Sequence, residues 1–262
     1  MSVTYDDIVS AQQEQGDVIR KTSLTFSDTF TQLTGSTVYL KNEFEQKTGS
    51  FKLRGAYYKI KTLSEEERKN GVVAASAGNH AQGVAYASAL EKINCTIVMP
   101  KNASPAKVAA TRGYGATVVL EGKNYDESWI KAQEIAKTTG STIIHAFDDS
   151  QIIAAQGVIG LEIIEQLPDV DEIYVPIGGG GLAAGILVAI KDKNPNVKVI
   201  GVESKSFPSM KKSLDSGKVE TIEGGFTVAD GISVRTPGEQ TFEIIKDKID
   251  EIVLVDDDEI IN

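Results

Sequence analysis

Three short segments combine residue types that could bind anions and carry out amine chemistry. The first, residues 176–182, reads Pro-Ile-Gly-Gly-Gly-Gly-Leu. Consecutive glycines let backbone N–H groups approach an anion closely, and the N-terminus of a following helix adds partial positive charge. A tight strand-to-helix turn does not require four glycines in a row, so this segment predicts a phosphate site.

The second segment, residues 76–80, reads Ser-Ala-Gly-Asn-His and predicts a pocket for a carboxylate. The Ser76 hydroxyl, the loop N–H groups and a following helix N-terminus would all attract an anion. Asn79 offers both a donor and an acceptor. A histidine at a helix start is more often a capping or packing residue, and we expect that role for His80. A simple helix cap would explain one of these polar residues but not three.

The third segment, residues 47–55, places Lys52 at the start of a predicted helix. The helix dipole disfavours a cation there and should lower the pKa of Lys52, which favours a neutral, nucleophilic amine. By itself such a lysine is usually a solvated surface charge. Together with two anion pockets, however, it fits pyridoxal 5′-phosphate, which needs a phosphate cradle, a lysine and a place for the substrate carboxylate.

A nicotinamide-dependent dehydrogenase is the alternative from another class of enzyme. Gly178, Gly180 and Ala183 satisfy the G-x-G-x-x-A dinucleotide fingerprint. Glu203 ends the next predicted strand, where an acidic residue would bind a ribose. A dehydrogenase would have no use for the lysine, so a visible absorption spectrum before and after borohydride would separate the two interpretations.

The elements that must position these segments alternate regularly between strand and helix. Apolar, β-branched runs predict strands at 37–44, 72–76, 95–100, 116–120, 142–147, 172–177, 197–203 and 251–255. Helical patterns lie at 51–69, 79–92, 105–112, 125–138, 151–167, 182–192, 208–215 and 238–248. Strands that are apolar on both faces indicate parallel sheets covered by helices, so we expect an α/β protein with doubly wound sheets. Ligands bind at the carboxyl ends of such strands, in the loops that lead into helices, and we expect all three segments to lie in such loops.

Capping residues predict where several helices begin. Thr236 followed by Pro237 reads as an N-cap and a first helical residue. The run Asp148-Asp149-Ser150 also reads as a helix cap. We expect His145 to pack within the strand at 142–147, and Cys95 to be a small buried hydrophobe.

Composition and charge exclude several classes of function. The chain has 262 residues with 27 lysines and arginines against 37 aspartates and glutamates, a net charge of −10. This acidity argues against binding to nucleic acids or to anionic membranes. One cysteine and two histidines leave no disulfide framework and no predicted metal site. No secretory signal is visible at the N-terminus, so we expect a cytoplasmic protein.

At these segments the sequence closely resembles the serine/threonine dehydratase family of pyridoxal-phosphate enzymes, which have the tryptophan-synthase-β type of fold. The matching motifs are KTGSFKLRGA (47–56), SAGNHAQG (76–83), PIGGGGLAAG (176–185) and VADG (228–231), in the order and spacing of the family. The joint occurrence of the four motifs is specific, whereas the glycine run alone is not.

The resemblance implies a role for each site residue. Lys52 would bind the cofactor covalently and act as the catalytic base, Phe51 would lie beside the cofactor ring, and Asn79 would bond its 3′-hydroxyl. The cofactor phosphate would be held by Gly178, Gly179, Gly180, Gly181 and Leu182. The substrate carboxylate would be bound by Ser76, Ala77, Gly78, Asn79 and His80.

The resemblance also implies a reaction and an architecture. The reaction is the β-elimination of L-threonine or L-serine to 2-oxobutanoate or pyruvate and ammonia. The cofactor would lie in a cleft between a large domain (1–70 and 149–262) and a smaller inserted domain (71–148). We expect a homo-oligomer, a dimer or a tetramer.

Two departures from the family pattern affect the function. Racemases of this group carry a second serine where this chain has Ala77, which favours a dehydratase over a serine racemase-like enzyme. Relatives also continue beyond residue 262 with a segment that contacts the pyridine nitrogen. We therefore expect this chain to bind the cofactor more weakly than a longer one. The regulatory domain of the long biosynthetic threonine dehydratases is also absent, so we do not expect feedback inhibition by isoleucine. An inactive amino-acid-binding module is the alternative that the short C-terminus leaves open.

Overall fold

Helices and strands alternate along most of the chain in the computed structural model, which describes residues 3–262. In chain order the elements are α1 (Tyr5–Gln15), β1 (Leu24–Phe26), α2 (Asp28–Thr34), β2 (Tyr39–Lys41), α3 (Lys52–Lys61), α4 (Glu65–Asn70), β3 (Val72–Ala75), α5 (Asn79–Leu90), β4 (Cys95–Met99), α6 (Pro105–Gly113), β5 (Thr117–Leu120), α7 (Tyr125–Thr139), β6 (Thr142–Ile143), α8 (Ser150–Gln166), β7 (Glu172–Pro176), α9 (Gly181–Lys193), β8 (Lys198–Ser204), α10 (Ser209–Ser216), α11 (Glu239–Lys248), β9 (Glu251–Val255) and α12 (Asp257–Ile261). Short 3-10 helices occur at Gly16–Val18, Glu43–Glu45 and Asp230–Ile232.

The strands form two parallel sheets and one antiparallel pair. The first parallel sheet has the order β5-β4-β3-β6, and the second has the order β7-β8-β9. The antiparallel pair joins β1 to β2, with Leu24 opposite Lys41. The predicted α/β class with parallel sheets is therefore confirmed.

Helices cover both faces of the four-stranded sheet. All four residues of β3 are buried. On one face, α5 and α3 contribute to a large apolar cluster with Val72, Ala74 and Ile97. On the other face, α7 packs through Ala132 and Trp129 against Val73 and Val98. Burial on both faces explains why these strands are continuously apolar in sequence.

The second core lies around the three-stranded sheet and the helix pair α8 and α9. These two helices approach closely because glycines face each other at the contact. A Cβ atom placed on Gly185 would lie 2.4 Å from the carbonyl oxygen of Ile153 and 2.5 Å from the nitrogen of Gly157. A larger residue at either glycine would force the helices apart and open the core.

Helix α3 lies between the two groups of elements and fixes the position of Lys52. Near its start it packs against α5, where a Cβ atom on Gly83 would lie 3.2 Å from the backbone of Lys52 and Leu53. On another side it packs against α8, where a Cβ atom on Gly55 would meet the side chain of Gln156 at 2.6 Å. The backbone at the start of α3 is therefore held in place by its close contact with α5 at Gly83.

A buried ionic network anchors α3 further. Arg54 is fully buried and its guanidinium makes two hydrogen bonds to each of two carboxylates, Glu43 and Glu162, at 2.6–2.9 Å. Lys41 adds a 2.6 Å ion pair to Glu162. Two cations thus face two anions, so that each buried charge has a partner.

Several element boundaries differ from the sequence-based expectations. The predicted strand at 37–44 is shorter, spanning only Tyr39–Lys41, and it pairs with β1, which the sequence patterns did not indicate. The predicted helix at 51–69 is divided into α3 and α4, because Ser64 starts a new helix with a capping box. The N-terminal helix α1 also escaped the sequence analysis. These elements are short or rich in polar residues, so their apolar periodicity is weak.

Within residues 3–262, the structure has no helix that combines the length and the apolar character needed to cross a lipid bilayer.

Candidate functional site

The amine of Lys52 lies at the first turn of α3 and makes one strong hydrogen bond. Its Nζ atom donates to the carbonyl oxygen of Ala146 at 2.7 Å and lies 5.3 Å from the centre of the Phe51 ring. Burial lowers the pKa of Lys52 to about 8. The direction of this pKa shift is the one expected from the sequence, but its cause is burial and not the helix dipole. A neutral amine is thus accessible near neutral pH.

Two buried hydroxyls precede Lys52 in the same segment. Among residues 3–262, no hydrogen-bond partner exists for Thr48 Oγ1 or Ser50 Oγ. Buried polar side chains are rarely left unsatisfied in folded proteins, and such groups are often completed by a ligand or by water. The segment 48–52 therefore has the polar capacity to bind a further group beside the lysine.

The glycine run connects β7 to α9 as predicted and presents free backbone donors. Across the described part of the chain, the N–H groups of residues 178–182 have no protein acceptor. They lie at the N-terminus of α9, and Gly180 has a left-handed backbone with φ 95°. A cluster of unsatisfied N–H groups at a helix N-terminus fits a phosphate dianion.

The rear of the glycine loop is closely covered by two side chains. A Cβ atom on Gly179 would lie 2.4 Å from the ring of Phe147, and one on Gly180 would lie 2.8 Å from Thr241. These two neighbours alone therefore require glycine at both positions. Close packing on this side limits the space into which the loop can move.

The segment 145–148, between β6 and α8, joins the lysine to the glycine loop. The carbonyl oxygen of Ala146 accepts the Lys52 amine. The next residue, Phe147, places its ring against Gly179 and its backbone against Gly181. Two segments that are far apart in sequence are thus brought to one place.

The predicted carboxylate loop follows β3, also at the carboxyl end of a parallel strand. The Ser76 hydroxyl accepts the N–H of Gly78 at 3.2 Å, and Asn79 is exposed at the first turn of α5. Ala77 and Gly78 are half-buried. The loop therefore leaves the Asn79 side chain free for a ligand.

His80 has the structural role expected for it. It is buried, and its Nε2 atom bonds the carbonyl oxygen of Ile144 at 2.9 Å. Burial, with the nearby charge of Lys52 as a second cause, lowers the pKa of His80 to about 3. The ring is thus neutral at pH 7. The carboxylate loop leads into α5, which packs through Gly83 against the backbone of Lys52.

His145 does not lie within a strand, contrary to the expectation, because β6 ends at Ile143. Its Nδ1 atom accepts the backbone N–H groups of Phe147 at 3.2 Å and Asp148 at 2.8 Å. Its ring makes edge contacts with Trp129 and Phe147. It packs, as expected, but it also shapes the segment that carries Ala146.

Glu203 is engaged in helix capping and is not directed to a ribose. Its buried carboxylate accepts the N–H groups of Met210 and Lys211, both at 2.8 Å, at the start of α10. Burial raises the pKa of Glu203 to about 7. This use of the carboxylate removes the support for a dinucleotide site. In residues 3–262 no cluster of three or more histidine, cysteine or acidic residues could hold a metal ion.

Three residues near the site have roles that the sequence did not indicate. The acceptor for Lys52 is the backbone oxygen of Ala146, which any residue type could supply. Asp148 reads as a helix cap, but it caps α11 and not the helix that follows it in sequence. Thr241 lies inside α11 with no motif around it, and only the fold brings it to the glycine loop.

Known proteins of similar sequence match almost the whole chain. The L-threonine ammonia-lyase of Thermotoga maritima is 53% identical over 258 residues, which are 98% of this chain and 64% of that protein. The catabolic L-threonine dehydratase TdcB of Escherichia coli K12 is 48% identical over 262 residues, which are 100% of this chain and 80% of that protein. This chain thus spans less than two thirds of the first relative's length.

Solved structures show the same fold. Maize serine racemase superimposes with a TM-score of 0.96 at 33% identity, covering 100% of this chain and 79% of the racemase. The processed form of threonine deaminase isoform 2 from Solanum lycopersicum superimposes with a TM-score of 0.91 at 39% identity, covering 97% of this chain and 76% of the deaminase.

The family profile described as pyridoxal-phosphate dependent enzyme matches residues 16–262. This range contains Lys52, the carboxylate loop and the glycine loop. With a match over nearly the whole sequence and relatives near 50% identity, the chain belongs to the pyridoxal-phosphate dependent enzyme family.

Proposed function

We propose that this chain deaminates L-threonine, L-serine or both, with pyridoxal 5′-phosphate as cofactor. The observation that carries the proposal is the position of Lys52. Its amine has a pKa lowered to about 8 and bonds Ala146, directly beside the residue that packs on the glycine loop. The names of two relatives, an L-threonine ammonia-lyase and a catabolic L-threonine dehydratase, support the choice of substrate.

The residues of the site fit the cofactor and the substrate. The free N–H groups of Gly178, Gly179, Gly180, Gly181 and Leu182 would hold the phosphate. Phe51 would lie beside the cofactor ring, and Asn79 would bond its 3′-hydroxyl. The loop from Ser76 through Ala77, Gly78 and Asn79 to His80 would receive the substrate carboxylate at the N-terminus of α5.

Lys52 would act twice, first by binding the cofactor and then as a base. When bound, the cofactor supplies a conjugated ring that delocalises the electron pair left at Cα. The free amine of Lys52 would accept the Cα proton, which requires the neutral form that burial favours. Loss of this proton and of the Cβ hydroxyl gives an enamine, whose hydrolysis yields 2-oxobutanoate or pyruvate and ammonia.

Serine racemisation is the second candidate, because serine racemases occur among the similar structures. Racemisation requires an acid on the face of Cα opposite to Lys52. By the family resemblance, a racemase of this group would carry a serine where this chain has Ala77, whose methyl group cannot transfer a proton. This observation favours elimination.

The decisive experiment combines spectroscopy with product analysis. The purified chain is mixed with pyridoxal 5′-phosphate, and its visible spectrum is recorded before and after borohydride reduction. Formation of 2-oxo acid and ammonia from L-threonine and L-serine is then measured. We expect a visible band that borohydride removes, and equal molar amounts of 2-oxo acid and ammonia. If the visible band forms but no 2-oxo acid is produced, the chain is an amino-acid-binding module and not a deaminase.

The proposed function includes a domain division, an oligomeric state and a cellular location. The chain would consist of a large domain (1–70 and 149–262) and a smaller one (71–148), with the cofactor in the cleft between them. The four-stranded sheet lies within 72–143 and the three-stranded sheet within 172–255, which supports this division. We also propose a homo-oligomer in the cytoplasm, which gel filtration with light scattering and cell fractionation would test.

A further inference from the structure

The carbonyl oxygen of Gly179 is held by residues outside the glycine loop. The hydroxyl of Thr241 donates to it at 2.6 Å, and the N–H of Gly238 donates at 3.2 Å. Thr241 is fully buried and lies in the first turn of α11. We propose that Thr241 and Asp148 are positioning residues that set the phosphate-binding conformation of the loop 178–181. This inference rests on the proposed function.

The geometry of the peptide bond explains how a bond to a carbonyl can orient a donor. The carbonyl of Gly179 and the N–H of Gly180 belong to one planar trans peptide, so they point in opposite directions. Because the oxygen points to α11, the N–H of Gly180 points away from α11. This N–H is one of the loop donors without a protein acceptor in residues 3–262.

A loop of four glycines has little conformational preference of its own, so this constraint matters. Each glycine can adopt many backbone angles, and ordering them costs entropy when a ligand binds. A hydrogen bond that fixes one peptide plane in advance reduces that cost. The left-handed conformation of Gly180 and its close approach to Thr241 are part of the same arrangement.

Asp148 in turn holds the helix that carries Thr241. Its carboxylate accepts three successive N–H groups of α11, from Glu239 at 3.1 Å, Gln240 at 2.9 Å and Thr241 at 3.2 Å. The residue at the N-cap position is Gly238, which has no side chain for this purpose. Asp148 therefore replaces a local cap and also neutralises the helix dipole.

Asp148 cannot bind the phosphate itself, because a carboxylate repels an anion and its oxygens are already occupied. Its effect on the loop passes through α11, where the Thr241 hydroxyl and the Gly238 N–H donate to the carbonyl oxygen of Gly179. His145 supports it from the other side by accepting the N–H of Asp148 at 2.8 Å. The segment that holds the Lys52 amine through Ala146 thus also aligns the phosphate loop.

The test compares two ligands that differ only in the phosphate, namely pyridoxal 5′-phosphate and pyridoxal. Dissociation constants for both are measured by absorbance titration of the cofactor-free chain. The dissociation constant of pyridoxal divided by that of pyridoxal 5′-phosphate isolates the contribution of the phosphate site. We expect Thr241→Val to lower this ratio about ten-fold, the effect of losing one buried hydrogen bond. Thr241→Ser, which retains the hydroxyl, should restore the ratio.

Matched variants control for general effects on stability. Thr138→Val removes a hydroxyl that bonds a helix carbonyl in α7 and should leave the ratio unchanged. Asp148→Asn weakens the cap of α11 and should lower the ratio, whereas Asp149→Asn weakens the cap of α8 and should not. If Thr241→Val does not fold, the test is the comparison of this ratio between Asp148→Asn, where it should fall, and Asp149→Asn, where it should not.

The outcomes separate this inference from the proposed function. A parent chain that binds both ligands equally would lack a phosphate site, and both proposals would be overturned. A parent that prefers the phosphorylated ligand, with Thr241→Val and Asp148→Asn showing the same preference, would overturn the positioning role alone. A ratio reduced in both variants and retained in Thr241→Ser would establish it.

Discussion

The amine nitrogen of Lys52 lies 2.7 Å from the carbonyl oxygen of Ala146, a residue 94 positions further along the chain. This acceptor is neutral, so it directs the amine without adding a negative charge that would raise the pKa of the lysine. Burial can therefore dominate and lower the pKa to about 8. The relationship gives Lys52 both a fixed direction and access to its nucleophilic form.

Replacing Lys52 with alanine should abolish turnover, because the change removes both the covalent attachment point and the base for the Cα proton. We expect 2-oxobutanoate formation from threonine to fall by at least about 1,000-fold, since nucleophile and base are lost together. Circular dichroism should remain unchanged. The control is Lys131→Ala on the exposed side of α7. Near-parental activity in Lys52→Ala would refute the assignment.

The reactivity of Lys52 should depend on pH with a midpoint near 8. Its pKa is lowered from 10.5 to about 8, so the neutral fraction rises as pH increases through 8. The measurement is the rate at which an amine-specific acylating reagent modifies Lys52 in the cofactor-free chain, followed by mass spectrometry. Exposed lysines in the same sample provide the internal reference. A midpoint above pH 10 for Lys52 would contradict the effect of burial.

Ala77→Ser should introduce some racemisation of serine, because the new hydroxyl could donate a proton to the face opposite Lys52. The experiment is chiral analysis of the serine that remains after partial conversion. Ala136→Ser, at a half-buried position on α7, is the matched control. If the remaining substrate keeps its full L configuration in both variants, residue 77 does not decide between elimination and racemisation.

Glu162→Gln should destabilise the protein strongly, by about 3–5 kcal/mol, because it leaves Arg54 and Lys41 with one carboxylate fewer in a buried network. Urea unfolding of the two forms measures the difference. The exposed variant Glu134→Gln breaks only a surface pair with Lys131 and should change stability by less than about 1 kcal/mol. Equal effects of the two changes would show that the buried network has no special weight.

Stability should fall in mild acid because of His80. Its pKa in the folded state is about 3, below the ordinary value of 6.5. The unfolded chain therefore binds more protons between these values. The contribution of His80 to the free energy of unfolding is fully present above pH 6.5 and is lost as the pH falls from 6.5 towards 3.

The comparison is urea unfolding at pH 7 and pH 5. His80→Gln, whose amide can still donate to Ile144, should lose about 2 kcal/mol less than the parent between these two pH values. An identical loss in both proteins would mean that His80 does not contribute to the acid sensitivity.

The motifs and the fold class were recoverable from sequence because their causes are local. Glycines 178–181, the strand before them and the helix after them are contiguous in sequence. The apolar pattern of that strand and that helix indicates which of their residues are buried. A candidate phosphate site and a candidate nucleophilic lysine could thus be predicted from local sequence.

Helix α11 shows where local patterns fail. Thr236 and Pro237 suggested that a helix begins there, but α11 begins at Glu239. Its cap is Asp148, 91 positions earlier in the chain than Glu239. A side chain from a distant segment can cap a helix as well as a local residue can, and no window of sequence contains both partners.

The sequence by itself thus determined the class of fold, the glycine loop, the candidate lysine and the family resemblance. The tertiary structure decided what surrounds them: the Ala146 oxygen that receives Lys52, the Phe147 ring behind Gly179, and the Thr241 hydroxyl on its carbonyl. The physical reason is range. Propensity, periodicity and capping act within a few residues, whereas burial, pKa shifts and peptide orientation depend on atoms that only the folded chain brings together.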